Sequence, residues 1–277
     1  MVKYIGLSIL LIIIVSAAFI TYKSKNILPN LQTQTSTSLP NIESKTTSAG
    51  PTPKIPFILK PGYQIHVFAS DLNKPRVLEF SPGGVLLTSD IGSNEVIAIP
   101  DKNNDGAADT KKIVINRGNH IHGIAFYKDK LYVAEVDKVT RYNWDEANLQ
   151  ATQDKVLFFL PQNENHNNRT LTFDKEGNMY VSVGSTCNVC VENSDQSATV
   201  LKSNADGDSP KVFATGLRNA PFTQINPKTG ELWGTEMGRD NLGDNIPPDE
   251  INVIRQGKNY GWPYCYGDMV HDSNFDK

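Results

Sequence analysis

The 277-residue sequence predicts an all-β domain of β-propeller type, and three observations predict it. A pattern of a basic residue, an apolar pair ending in Phe, a turn and a strand-like run occurs four times. Its copies begin Arg76-Val-Leu-Glu-Phe80, His122-Gly-Ile-Ala-Phe126, Arg169-Thr-Leu-Thr-Phe173 and Arg218-Asn-Ala-Pro-Phe222, with the Phe positions 46, 47 and 49 residues apart. A period of roughly 40 to 50 residues carrying several short strands is the signature of a propeller blade. The other two observations are the wealth of short β-branched runs and the turn residues that separate them.

The chain opens with a different material. Tyr4 to Tyr22 is an apolar run of 19 residues, close to the roughly 20 needed to cross a bilayer. Residues 1–25 are therefore expected to be a single N-terminal transmembrane helix or a signal segment. Val15-Ser-Ala-Ala18 is the cleavage candidate if the segment is removed. Either way the chain enters an export route, and the domain is expected outside the cytoplasm, membrane-anchored or secreted. Lys3 precedes the run and Lys23 and Lys25 follow it, so orientation is not set by charge. Residues 26–56 form a linker whose last 26 positions hold six Thr, four Ser and four Pro. Such a composition buries too little apolar surface to offset its ordering entropy.

The globular part, 57–277, is long enough for one domain with a sizeable core. Strands are expected at Ile65–Ala69, Val85–Thr88, Val96–Ile99, Lys130–Ala134, Met179–Val183 and Glu250–Ile254. Turns are expected at Pro82-Gly-Gly, Asn104-Asp-Gly, Glu176-Gly-Asn, Asp206-Gly and Lys228-Thr-Gly. Only Asp145–Leu149 offers a short helical stretch. The net charge of −3, with no basic run, argues against a nucleic-acid surface.

Five segments occur in a telling order: Asn165-His-Asn-Asn-Arg-Thr-Leu171, Gly216-Leu-Arg-Asn219, Glu236-Met-Gly-Arg-Asp240, Pro248-Asp-Glu-Ile-Asn252 and Asn259-Tyr-Gly-Trp-Pro263. With Pro61-Gly-Tyr-Gln-Ile-His and Ser185-Thr-Cys-Asn-Val-Cys190, the stretch Pro61–Gly267 resembles the soluble quinoprotein glucose dehydrogenase and sorbosone dehydrogenase family. The resemblance implies a propeller of the six-bladed type with two cofactors, pyrroloquinoline quinone and Ca2+.

It also implies roles. His166 corresponds to the general base that takes the anomeric hydroxyl proton of the sugar, a task suited to an imidazole of ordinary pKa near 6.5. Asn165 stands where a carboxylate often precedes that histidine. Arg218 corresponds to the arginine that contacts the quinone and the developing oxyanion, and Asn219 to its neighbouring cofactor ligand. Arg218 also shares a repeat position with Arg76 and Arg169, where a blade-to-blade hydrogen bond is the alternative. The carbonyls of Gly238 and Arg239 correspond to ligands of the cofactor-bridging calcium. His122, at a strand entry, is a candidate cofactor contact, with hydrogen-bonded packing as the other reading.

Outside the resemblance, Asp101, Asn103, Asp105 and Asp109 take positions 1, 3, 5 and 9 of a calcium loop with Gly106 at position 6. Lys112 stands at position 12, so a second calcium site competes with a plain Asx-stabilised turn. Cys187 and Cys190 suit a disulfide in an exported chain, since only Cys265 remains and a zinc site lacks ligands.

About four blades are visible, so the propeller reads as truncated, with exposed faces that favour self-association. The leading functional expectation is a quinoprotein oxidoreductase acting on an aldose or related sugar aldehyde, with an unassigned electron acceptor. A calcium-dependent sugar lactonase and a non-enzymatic binding propeller are the alternatives.

Overall fold

Alternation and turn chemistry place seventeen strands and no helix in the described residues, which in this computed structural model are 57–162 and 165–275. The membrane segment and the linker expected before residue 57 lie outside them. Asp145–Leu149 is the end of a strand and a turn, because Asp145 Oδ1 and Oδ2 accept the Asn148 backbone and side-chain amides and close the chain tightly.

The strands form antiparallel meanders. The first sheet is β1 (Pro75–Phe80), β2 (Leu86–Asp90), β3 (Glu95–Ala98) and β4 (Lys112–Ile115). The second is β5 (Gly123–Tyr127), β6 (Lys130–Ala134), β7 (Lys138–Asp145) and β8 (Gln150–Phe159). The third is β9 (Leu171–Phe173), β10 (Asn178–Val183), β11 (Thr199–Asn204) and β12 (Lys211–Thr215). A fourth contains β13 (Thr223–Ile225), β14 (Leu232–Glu236) and β15 (Glu250–Ile254), and a small hairpin of β16 (Cys265–Tyr266) and β17 (Val270–His271) follows. The repeated Phe pattern marks the first strand of each sheet. Those first strands touch in series, β1 to β5, β5 to β9 and β9 to β13, as four blades of a β-propeller do.

Period-two alternation makes the second strand of each blade the hub of packing. On β6, Leu131 and Val133 join Leu87, Val96 and Ala98 of the first sheet, while Tyr132 and Ala134 face Met179, Val181 and Val183 of the third. On β10 the other face carries Tyr180, which meets Leu232 and Ile254 of the fourth sheet. Each fully buried side chain of this kind stabilises the fold by about 1.5–3 kcal/mol. Irregular register in β3–β4, β7–β8 and β11–β12 adds the twist that splays the outer strands.

One expected strand does not form. Ile65–Ala69 is irregular chain that joins no sheet, and Phe68 O accepts the Ala108 amide. In a meander that begins with the innermost strand, the second-to-third turn and the link to the next blade share one rim. His166, Ser185, Arg218, Asn219, Gly238 and Arg239 all lie in those rim segments.

Candidate active site

His166 sits in the β8–β9 connection at φ 41°, a left-handed conformation that costs a non-glycine residue about 1 kcal/mol or more. Arg169, with no exposed surface, holds it there: Nη1 donates to His166 O at 2.8 Å and to Asn168 O at 3.1 Å, and Nη2 donates to Pro161 O at 3.0 Å. At this repeat position the buried arginine is thus a backbone brace. Gly184 allows the loop to seat closely, because a Cβ there would stand 2.5 Å from His166 Cβ and 2.8 Å from His166 O.

The imidazole of His166 is oriented by Ser185, which sequence reading did not single out. Nδ1 lies 3.1 Å from Ser185 O and 2.8 Å from Ser185 Oγ. A carbonyl oxygen only accepts, so Nδ1 carries the proton and Nε2 keeps its lone pair. The hydroxyl of Ser185 in turn donates to Cys187 O at 2.7 Å. Burial, and then the positive charge of Arg218, hold His166 below its usual pKa of 6.5, so the ring is a neutral proton acceptor at neutral pH.

Arg218, 3% exposed, sits in the β12–β13 connection. Its Nε donates to Asn188 O at 2.9 Å, Nη2 to Asn188 Oδ1 at 2.8 Å and to Asp240 Oδ2 at 3.0 Å, and Nη1 to Met237 O at 3.2 Å. Asp240 is its one ion-pair partner among the described residues, and the Asp240 side chain is 74% exposed. A solvated carboxylate of this kind is replaceable by an incoming anion. Next to Arg218, Asn219 donates its Nδ2 to Met237 Sδ at 3.4 Å and its backbone amide to Glu236 Oε1 at 3.1 Å. Glu236 is buried, its Oε2 has no hydrogen-bond partner, and burial followed by the nearby Glu250 pushes its pKa up to about 8. Beneath the rim, this carboxyl is thus held well above the usual carboxylate range.

The rim thus gathers His166, Arg218 and Asn219 around the β10–β11 loop. Asn165 is beside them, donating Nδ2 to Thr186 O at 3.2 Å. Gly238 donates its amide to Asp249 Oδ1 at 3.1 Å, and Arg239 pairs with the buried Asp272 at 2.7 Å. This leaves carbonyl and carboxylate oxygens of one exposed loop, β14–β15, in the chemistry a hard cation prefers.

Other candidates lie elsewhere. His122 has no exposed surface and packs against Phe222, with ring centroids 5.6 Å apart, and Thr170 Oγ1 lies 3.5 Å from its Nδ1. Burial above all, then Arg76, lowers its pKa to about 3, so it is a neutral, interior side chain rather than a surface contact. In the Asp101–Asp109 loop the carboxylates accept backbone amides: Asp101 from Asp105 and Gly106, Asp105 from Ala107, and Asp109 from Lys102. That is an Asx-type turn network, and the three carboxylates are not within ligand distance of one another. Cys187 and Cys190 are joined, as expected. A cavity of about 560 Å³ runs along the first strands, lined in part by Arg76, Glu79, Thr172, Phe222, Gln224 and Trp233, and contains none of the rim residues.

Comparison with known proteins bears on this arrangement. An uncharacterized protein of Borreliella burgdorferi is 30% identical over 230 residues, covering 74% of this chain and 56% of that protein. A pyrroloquinoline quinone-dependent sugar dehydrogenase of Hypocrea jecorina is 26% identical, again covering 74% of this chain and 56% of the relative. The chain thus spans little more than half the length of either. Among solved structures, the holo form of the pyranose dehydrogenase PQQ domain from Coprinopsis cinerea superposes with TM-score 0.71 at 20% identity, over 82% of this chain and 63% of that one. That likeness shows the shared propeller fold. The family model described as TrAA12-like matches residues 57–276, which include all seventeen strands, and the chain belongs to the TrAA12-like family.

Proposed function

We propose that the domain is the substrate-oxidising part of a quinoprotein oxidoreductase acting on an aldose or a related sugar aldehyde, with pyrroloquinoline quinone and calcium as cofactors. The observation that carries the reading is the pairing of His166, neutral and with Nε2 as its acceptor, with a buried arginine whose one ion-pair partner among the described residues is solvated. Relatives bearing the name of quinone-dependent sugar dehydrogenase support the reaction class.

When bound, the quinone supplies a two-electron acceptor. In this reading Arg218 exchanges Asp240 for an anionic group of the cofactor, a permanently charged fork suited to carboxylates. Asn219 offers an amide alongside it. The carbonyls of Gly238 and Arg239 hold calcium, with Asp249 or Asp240 within the same loop to balance charge. His166 Nε2 accepts the proton from the anomeric hydroxyl, and Ser185 stabilises the imidazolium that results by fixing Nδ1–H.

A lactonase would need carboxylates converging on one ion. Among the described residues the one such group of metal-ligating side chains is Cys187, Cys190 and Glu192, and its two sulfurs are bonded to each other. The dehydrogenase reading is favoured by relatives that bear the name of quinone-dependent sugar dehydrogenase. The Cys187–Cys190 bond also supports an extracytoplasmic location, where disulfides persist.

The test is His166→Gln in the full chain supplied with quinone and calcium. Turnover of an aldose should fall by about 10² to 10⁴ with quinone affinity nearly unchanged. Because the ring's pKa is held below 6.5, the acid limb of kcat/KM in the parent should also lie below that value. Equal turnover in mutant and parent would refute the role of His166.

A further inference from the structure

The β10–β11 loop reaches both functional side chains. Two residues, Asn188 and Val189, lie between the bonded Cys187 and Cys190. Asn188 receives Arg218 twice: on its carbonyl, from Nε at 2.9 Å, and on its side-chain oxygen, from Nη2 at 2.8 Å. The same side-chain oxygen accepts the Asp240 amide at 2.9 Å, its Nδ2 donates to Asp240 O at 3.3 Å, and its carbonyl also accepts Trp262 Nε1 at 3.3 Å. Toward His166 the loop acts through Ser185, whose hydroxyl is tied to Cys187 O. Glu192 braces it from behind, its two oxygens each 2.8 Å from the Thr186 amide and hydroxyl.

Arginine is long and flexible, and a guanidinium that must meet an anion at a set angle is useful only when its fork is held. A bidentate grip from one residue needs that residue's main chain and side chain fixed together. A cross-link three residues apart supplies that constraint at the gripping residue itself, whereas hydrogen bonds alone would leave a two-residue loop tip free to reorient.

We propose that the Cys187–Cys190 loop is the positioning element of the rim: Asn188 is a positioning residue that fixes the Arg218 guanidinium, and the disulfide holds Asn188. The proposal rests on the reading of Arg218 as an anion-binding residue of the site. One consequence is chemical. Reduction by a dithiol such as dithiothreitol, in which the Sγ–Sγ bond takes up two electrons and two protons and the reagent becomes its cyclic disulfide, should release the fork without touching Arg218 or His166.

The experiment uses the full chain and two readouts. The first is arginine side-chain nitrogen NMR, with Arg218 assigned from the Arg218→Lys spectrum. In the parent the two Nη groups should give separate, slowly exchanging signals. In Asn188→Ala, in the Cys187→Ser/Cys190→Ser double variant and in the reduced parent they should merge, while Asn188→Asp, which keeps the acceptor oxygen, should preserve separation. An unchanged amide spectrum for β5–β6 in each variant establishes that the fold is intact. Separate Arg218 signals in Asn188→Ala and in the double variant would overturn the proposal.

The second readout is affinity for pyrroloquinoline quinone by fluorescence titration. Asn188→Ala and the double variant should bind at least about tenfold more weakly, with Asn188→Asp in between. Equal affinity throughout would overturn the link to ligand binding. A parent that binds no quinone would defeat the proposed function, while the guanidinium signals would still decide the clamp.

Discussion

Glu236 departs far from ordinary carboxylate behaviour. Burial raises its carboxyl to about 8 from 4.5, and its Oε2 finds no partner, so the folded chain keeps a proton that the unfolded chain releases. A group whose folded pKa is raised costs stability as pH rises from the unfolded to the folded value, here between about 4.5 and about 8, and the penalty is flat above that window. Glu236→Gln removes the titration and keeps the shape. Thermal melts from pH 5 to pH 9 should show the parent losing more stability than Glu236→Gln across the window. Parallel pH profiles for the two proteins would show that Glu236 is not the cause.

At the scale of elements, the rim works because segments far apart in sequence press together without room to spare. The β8–β9 connection lies against the start of the β10–β11 loop at Gly184, where a methyl group would meet both the Cβ and the carbonyl of His166. Gly184→Ala should push His166 away from Ser185. Displacement of about 1 Å at a reacting group costs up to about 10² in rate, against a stability loss of about 1–3 kcal/mol for overpacking. Turnover should therefore fall much further than the melting temperature does, and a variant with parental turnover would show that the loop yields without moving the ring.

Among the described residues, the sheets bury apolar side chains against one another, while the first and fourth sheets keep apolar side chains exposed. Leu78 and Phe80 of β1 are 62% and 64% exposed, and Trp233 of β14 and Ile251 of β15 are 38% and 72% exposed. Alternation explains the last pair, since Leu232 and Gly234 on β14 turn to the third sheet and Trp233 and Thr235 turn the other way. Apolar side chains shown on a sheet face favour association. Sedimentation of the full chain in mild detergent should reveal self-association that weakens in a Trp233→Lys/Ile251→Lys double variant. A monomeric parent at high concentration would contradict this.

The four-fold Phe pattern, the short strands and the turns were legible because alternation, branching at Cβ and turn chemistry act over a few residues, and each maps onto one blade. The disulfide was legible for the same local reason. Resemblance in five segments singled out His166, Arg218 and Asn219 as candidates, and folding brought them onto one rim. What only the tertiary structure decided depends on blade curvature. It made Ser185 the partner of a histidine 19 residues away and Asn188 the partner of an arginine 30 residues away. It sealed His122 behind Phe222 and left Glu236 Oε2 without a hydrogen-bond partner among the described residues. A period in sequence states that blades exist. Which side chains from neighbouring blades come within hydrogen-bonding distance is set by how tightly those blades pack around their common axis.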